Sequence, residues 1–150
     1  NLVGANLTRA NLTRATLTRA YVHPADLTDA NLEGANLNRV ELAGANLEGA
    51  NLSRATVKHG FLPGAVLAGA NLTGTDLTGT DLRSAIFFRA NLTGADLTGA
   101  DLTRANLTHA DLTGADLARA NLTNTIVNGV TWTNATCPSL EAGPYPCTSL

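Results

Sequence analysis

Methionine is missing from the sequence altogether, cysteine occurs twice and tryptophan once, and Phe, Trp and Tyr together make up only 4% of the residues. Long apolar runs are also missing: none approaches the about 18 residues of a membrane-spanning helix, so no membrane span is expected. Neither sign of charge dominates, with ten Lys and Arg against twelve Asp and Glu and a net charge of −2. Nucleic-acid binders carry a strongly basic face, so that partner class is disfavoured. Serine is scarce, and there is no Gly-x-Ser-x-Gly or phosphate-binding loop. No catalytic, cofactor-binding or metal-ligating set stands out, and an enzyme is not expected. The lack of Met, with a start in mid-pattern at Asn1-Leu2, reads as a processed or trimmed chain.

What is abundant is a period of five. Read in blocks from Asn1, the chain keeps one register to Ala135, and the second residue of all 27 blocks is apolar. Twenty-two of these are Leu; the others are Val22, Val57, Phe87, Val127 and Trp132. The fifth residue is Ala in 21 blocks, the first is Asn or Asp in 18, and the fourth is mostly Gly or Arg. Five steps of a helix move each leucine by about 140°, spreading the apolar set around every side. On one flat strand, leucines five apart alternate faces. Both leave half of them in water. A chain that turns through about 90° every five residues points every leucine at one axis. Four blocks then close a square coil of twenty residues, and coils stack about 4.8 Å apart, each burying its apolar side against its neighbours.

The tandem A(N/D)LXX pattern, as in Ala95-Asp96-Leu97-Thr98-Gly99 and Ala105-Asn106-Leu107-Thr108-His109, resembles the pentapeptide repeat proteins. The resemblance covers about nine tenths of the chain. It implies an all-β solenoid, a right-handed quadrilateral parallel β-helix of about seven coils, with Leu and Ala inward and the other three positions outward.

Two regions follow: a β-helix over 1–135 and a Pro-rich C-terminal cap over 136–150. In the cap, "TCPSLEAGPYPCTSL", three prolines and Gly143 oppose another coil. A Cys137–Cys147 disulfide is expected to hold this cap over the last coil; two free buried thiols are the alternative. Two cysteines in one short loop favour an oxidising compartment. The ending "GVTWTNATCP" resembles those of exported bacterial members of the family. The expected location is therefore extracellular, periplasmic or the thylakoid lumen rather than the cytoplasm.

Stacking by twenty residues brings out surface features that a linear reading misses. Asp76, Asp96 and Asp116 form an acidic ladder and Asp81 and Asp101 lie on the adjoining face, with Arg83, Arg104 and Arg119 expected to offset them; a weak divalent-cation site at the ladder is one reading. Val66 lies under Ile86 and Ala68 under Phe88, with Phe61 one face away, an outward apolar patch that marks a candidate contact surface. At the other end no cap is evident, so Asn1, Leu2, Leu7, Leu12, Leu17 and Tyr21 form a candidate end-stacking surface. Thr73, Thr93, Thr113 and Thr133 make a further column, ordinary for strand-like backbone.

The expected function is that of a non-enzymatic solenoid presenting rigid faces to a protein partner. Self-assembly into a filament or an end-to-end dimer is the first alternative. The second comes from the family resemblance: DNA-mimicking, gyrase-binding members, whose mimicry needs a strongly acidic rod that a net charge of −2 does not supply.

Overall fold

A computed structural model describes residues 2–138. Every bridge in it is parallel and links residue i to residue i+20, from Asn6↔Asp26 to Asp116↔Thr136. The coil is therefore four blocks long and keeps its register without a slip. Each side contributes a single bridged position per coil, so the four faces are columns of isolated bridges rather than extended strands. In chain order, face 1 runs from Asn6 through Val66 and Ile86 to Ile126, and face 2 from Asn11 to Thr131. Face 3 runs from Thr16 through Asp76 to Thr136, and face 4 from Tyr21 through Phe61 to Asn121.

Within a block, four of the five backbone N–H groups have partners dictated by the coil. In residues 26–30, the Asp26 N–H reaches back to Ala5 O (3.0 Å), while Leu27 and Asp29 donate forward to Asn46 O (2.7 Å) and Glu48 O (2.9 Å). Ala30 donates to Leu27 O (3.0 Å), closing a four-residue turn. The third residue has no backbone acceptor, and here the first residue enters: Thr28 N–H donates to Asp26 Oδ1 at 3.0 Å. The same bond recurs from Thr8 on Asn6 to Thr123 on Asn121. Asn and Asp are thus frequent at the first position because their short side-chain oxygen completes the backbone accounting.

The fourth residue has φ between 52° and 68° in every described block except that of Pro24, whose ring forbids it. Positive φ at the third position of the turn only is the mark of a type II turn, where Gly is favoured. Twelve of these residues are Gly and fourteen are not, eight of them Arg.

The core is the axis. From Leu27 to Leu117 the second-position side chains are at most 1% exposed, and Phe87 fits the same column at 0%. Thr75 and Thr80 replace Ala inside the coil, and their hydroxyls donate to Leu52 O (2.7 Å) and Val57 O (2.8 Å) of the preceding coil. A buried hydroxyl is tolerated there because it is satisfied. Leu2, Leu7, Leu12, Leu17, Val127 and Trp132, in the first and last described coils, are only partly buried. The proposed cap falls almost wholly outside the described residues, Cys147 with it.

Candidate functional site

The apolar corner lies where face 4 turns into face 1. Phe61 and Val66 open successive blocks of one coil, and Ile86 is bridged directly above Val66. Phe61, Ile86 and Phe88 are 38%, 38% and 36% exposed, large for apolar side chains on a molecule whose leucines are sealed. The Arg89 guanidinium lies 5.0 Å from the centre of the Phe88 ring, within cation–π range. The His109 ring meets the same phenyl group edge-on at 6.1 Å and 75°. His109 is held by its own turn and leans over the next coil: a Cβ on Gly129 would stand 2.5 Å from its Nδ1. Of the four residues expected to form a patch, Val66 and Ile86 are bridged and Phe88 follows in the Ile86 block, while Phe61 opens the block before Val66; Arg89 and His109 lie against Phe88. Ile126, 47% exposed, lies on the same face two coils above Ile86. It is absent from the sequence-based patch, although counting forty residues on from Ile86 finds it.

The acidic ladder on face 3 is real as a column: Asp76, Asp96 and Asp116 are bridged in turn. Its charge partner is Lys58, a residue not named in the sequence-based expectation. Lys58, one coil below, reaches Asp76 at 2.8 Å. On the adjoining face 4, Arg83 clamps Asp81 through two bonds of 2.9 and 2.6 Å, with Asp101 at 4.0 Å, the pairing expected of it there. Among the described residues, Arg104 and Arg119 make no ion pair with the ladder. The reason is reach: a third-position side chain lies beside the first-position carboxylate of its own block and of the next coil, whereas fourth-position arginines sit at the far corner. Burial pushes the Asp76 carboxyl up, but the Lys58 ammonium and the Thr78 donors bring it down below its ordinary value overall. The Arg83 clamp likewise lowers Asp81, against a smaller effect of burial.

Asp96 and Asp116 each use an oxygen on the N–H of the third residue, Thr98 and Ala118, at 2.9 Å. The ladder is therefore built first of all from the same turn-closing contact as every other block. Among the described residues, no group of three or more His, Cys, Asp or Glu side chains is placed to hold a metal ion. The threonine column is similarly engaged, with the Thr73, Thr93 and Thr113 hydroxyls donating to Asn71, Asn91 and Asp111. His23, His59 and His109 stand on faces 4, 3 and 1.

At the N-terminal end, Leu2, Leu7, Leu12 and Leu17 pack partly buried against the core, and Tyr21 is 58% exposed. Asn1 lies outside the described residues. Among the described residues, no helix is long and apolar enough to cross a membrane.

Comparison with known proteins agrees with this architecture. The pattern of Pentapeptide repeats matches in eight copies, over residues 1–23, 25–59, 50–87 and 85–129. The pentapeptide repeat protein Rfr23 from the cyanobacterium Cyanothece 51142 is 34% identical; the match covers 75% of this chain and 90% of that one, with a TM-score of 0.73. HetL, involved in heterocyst differentiation regulation in Nostoc sp. strain PCC 7120, is 29% identical over 90% of this chain and 77% of its own, with a TM-score of 0.55. QnrB1, a plasmid-mediated fluoroquinolone resistance protein, shares the fold at 17% identity and a TM-score of 0.65, over 93% of this chain and 81% of its own. Among curated proteins, no relative matches the chain. The fold common to these structures is the right-handed quadrilateral β-helix, and with the repeat matched over most of its length the chain belongs to the pentapeptide repeat family.

Proposed function

We infer that this protein is a non-enzymatic scaffold whose rigid faces are docking surfaces for another protein, and that the corner formed by Phe61, Val66, Ile86 and Phe88 is the principal one. The observation that carries this reading is the contrast in burial. The axis takes up nearly all the apolar side chains; of the large ones left exposed, Val3, Tyr21 and Ile126 lie on other coils, whereas Phe61, Ile86 and Phe88 share one corner on two successive coils. Exposed apolar surface of this kind more often serves contact than accident. The side chains around it are held on a backbone bonded to the coil above and below, so a partner meets a preformed surface and little ordering cost. An oxidising, exported location belongs to the same reading, supported by the two cysteines of the C-terminal segment.

Affinity capture with the purified chain and a Phe88→Glu variant tests it. Proteins retained by the wild type and lost with Phe88→Glu are the expected result. Equal retention by both, or none by either, removes the corner as a docking surface.

A further inference from the structure

The corner has a second property besides its carbon. In blocks that open with Asn or Asp, the side-chain oxygen takes the N–H of the third residue, as Asn71 does for Thr73 at 3.1 Å. Val66 and Ile86 have no such oxygen, and the N–H groups of Ala68 and Phe88 meet no acceptor among the described residues. Thr56 also lacks it, but there Asn38 of the coil below reaches up to the Lys58 N–H at 2.9 Å. Phe61 lacks it too, and its third residue is Pro63, which has no N–H to satisfy. The break in the hydrogen-bond plan is therefore repaired at Thr56 and made harmless at Phe61. It is left open at Val66 and Ile86, as it also is at Thr16, Tyr21, Glu41, Ile126 and Thr131 among the described residues. Only at Val66 and Ile86 do two open donors stack beside apolar first-position side chains. Because those blocks are bridged, the two unclaimed donors stand about 4.8 Å apart, beside exposed apolar carbon.

Charge gives this surface a direction. Arg89 lies over Phe88, and Arg104 follows on the corner one coil above Ser84; neither makes an ion pair among the described residues. On the side nearer the N-terminus, Glu48 lies one coil below Ala68 and Glu41 one coil below Phe61, whereas Asp81 and Asp101, stacked above Phe61, are paired with Arg83. A uniformly anionic surface such as a charged bilayer would meet those two glutamates as well as the arginines. A short segment carrying its carboxylate at one place would not.

Resting on the protein-docking reading above, we propose that this corner receives an acidic–apolar segment of a partner protein. One of its Asp or Glu carboxylates takes the place of the missing Asn or Asp oxygens, accepting from the Ala68 and Phe88 N–H groups beside Arg89. Its flanking apolar side chains cover Val66 and Ile86. Backbone N–H donors and an adjacent guanidinium are the combination that holds carboxylates well, and the apolar rim excludes the water that weakens such bonds.

The test uses two fluorescein-labelled nine-residue peptides, one alternating Leu and Asp and the other alternating Leu and Lys, with binding read by anisotropy. The acidic peptide should bind at least about tenfold more tightly than the basic one. The Val66→Asn/Ile86→Asn double variant restores both internal acceptors, so it should weaken acidic-peptide binding about tenfold while raising the melting temperature. Arg89→Gln should weaken binding severalfold without raising it, and it serves as the reading should the double variant not fold. Failure of the acidic peptide to bind, or equal binding to wild type and both variants, overturns the proposal. So does Ile86-dependent flotation with phosphatidylglycerol vesicles in the absence of peptide binding, which would assign the corner to lipid. Phe88-sensitive capture without acidic-peptide binding would leave the docking reading standing and overturn this one alone.

Discussion

Faces 1 and 2 run side by side along the same coils, yet they have diverged on the outside. Face 2 carries Asn11, Asn31, Asn51, Asn71 and Asn91 in one column. Asn51 donates to Asn31 at 3.2 Å and Asn71 to Asn51 at 3.3 Å, while their oxygens close the turns of their own blocks. Face 1 has Val66 and Ile86 between Asn46 and Asn106. The backbone beneath is indifferent to this: Leu47 donates to Val66 O and Leu52 to Asn71 O, both at 2.7 Å. The inward Leu and Ala and the turn hydrogen bonds thus carry the fold, and the outward first position contributes one optional bond. Face 4 gives up the same bond at the stacked Tyr21 and Glu41, so what sets Val66 and Ile86 apart is the apolar side chain that stands in its place.

The largest effects should be blind to the difference between the faces. Leu67 lies in the Val66 block and Leu72 in the Asn71 block, both sealed in the core. Burial of one Leu contributes about 1.5–3 kcal/mol, and an Asp in its place adds the penalty of a buried, unpaired charge. Leu67→Asp and Leu72→Asp should each abolish cooperative unfolding of the central coils by circular dichroism. A wide gap between them would show that the faces differ in more than their outsides.

A smaller loss is expected from a change that makes the repeat more regular. Gly60 stands at the inward position where 21 blocks have Ala. A Cβ there would meet Leu62 Cδ1 at 2.9 Å, Val57 Cγ1 at 3.0 Å and Val57 O at 3.1 Å. The branched Val57 fills space that a Leu block leaves for alanine, so Gly60→Ala should cost about 1–3 kcal/mol by overpacking. Urea denaturation measures it, and a stabilised variant would mean that this coil relaxes freely.

A reciprocal exchange of the outward residues comes next. Asn71→Val removes the acceptor of the Thr73 N–H and hydroxyl, while Ile86→Asn supplies one for Phe88. With a hydrogen bond contributing about 0.5–1.5 kcal/mol net, the first should lower stability by about 1 kcal/mol and the second raise it by a similar amount. Two losses of equal size would place the face 1 divergence on the folding side after all.

The period of five made the coil and its axis legible, because only a right-angled path brings every fifth residue to one side. The stacking of Val66 under Ile86 was legible through the same arithmetic of twenty. The reason for the Asn and Asp residues was not, since it depends on knowing that the third N–H alone lacks a backbone acceptor. Nor was the Lys58–Asp76 pair. It joins a third position to a first position eighteen residues on, a diagonal contact that stacking by twenty passes over. The arginines at positive φ were similarly hidden, because propensity favours Gly there and only the closed turn shows what conformation the position demands.

The smallest effect separates charge from hydrogen bonding within face 2 itself. Asp111 is the next residue above Asn91 in that column. Both oxygens do the same work: Asn91 accepts the Thr93 N–H and hydroxyl at 3.0 and 2.7 Å, and Asp111 accepts those of Thr113 at 2.9 and 2.6 Å. The Thr113 hydroxyl and N–H lower the Asp111 carboxyl below its ordinary 3.8, outweighing the upward push of burial, with Thr93 adding to the lowering. A carboxylate whose folded value lies below its unfolded one contributes stability above the unfolded value and loses it as pH falls through the folded one. Asn in its place keeps both acceptor contacts and does not titrate. Asp111→Asn should therefore change stability by no more than about 0.5 kcal/mol at neutral pH, while flattening the loss of stability below the ordinary carboxylate value. Urea unfolding on either side of that value checks both halves. A large loss at neutral pH would show that the carboxylate's charge, and not only its oxygen, holds this turn.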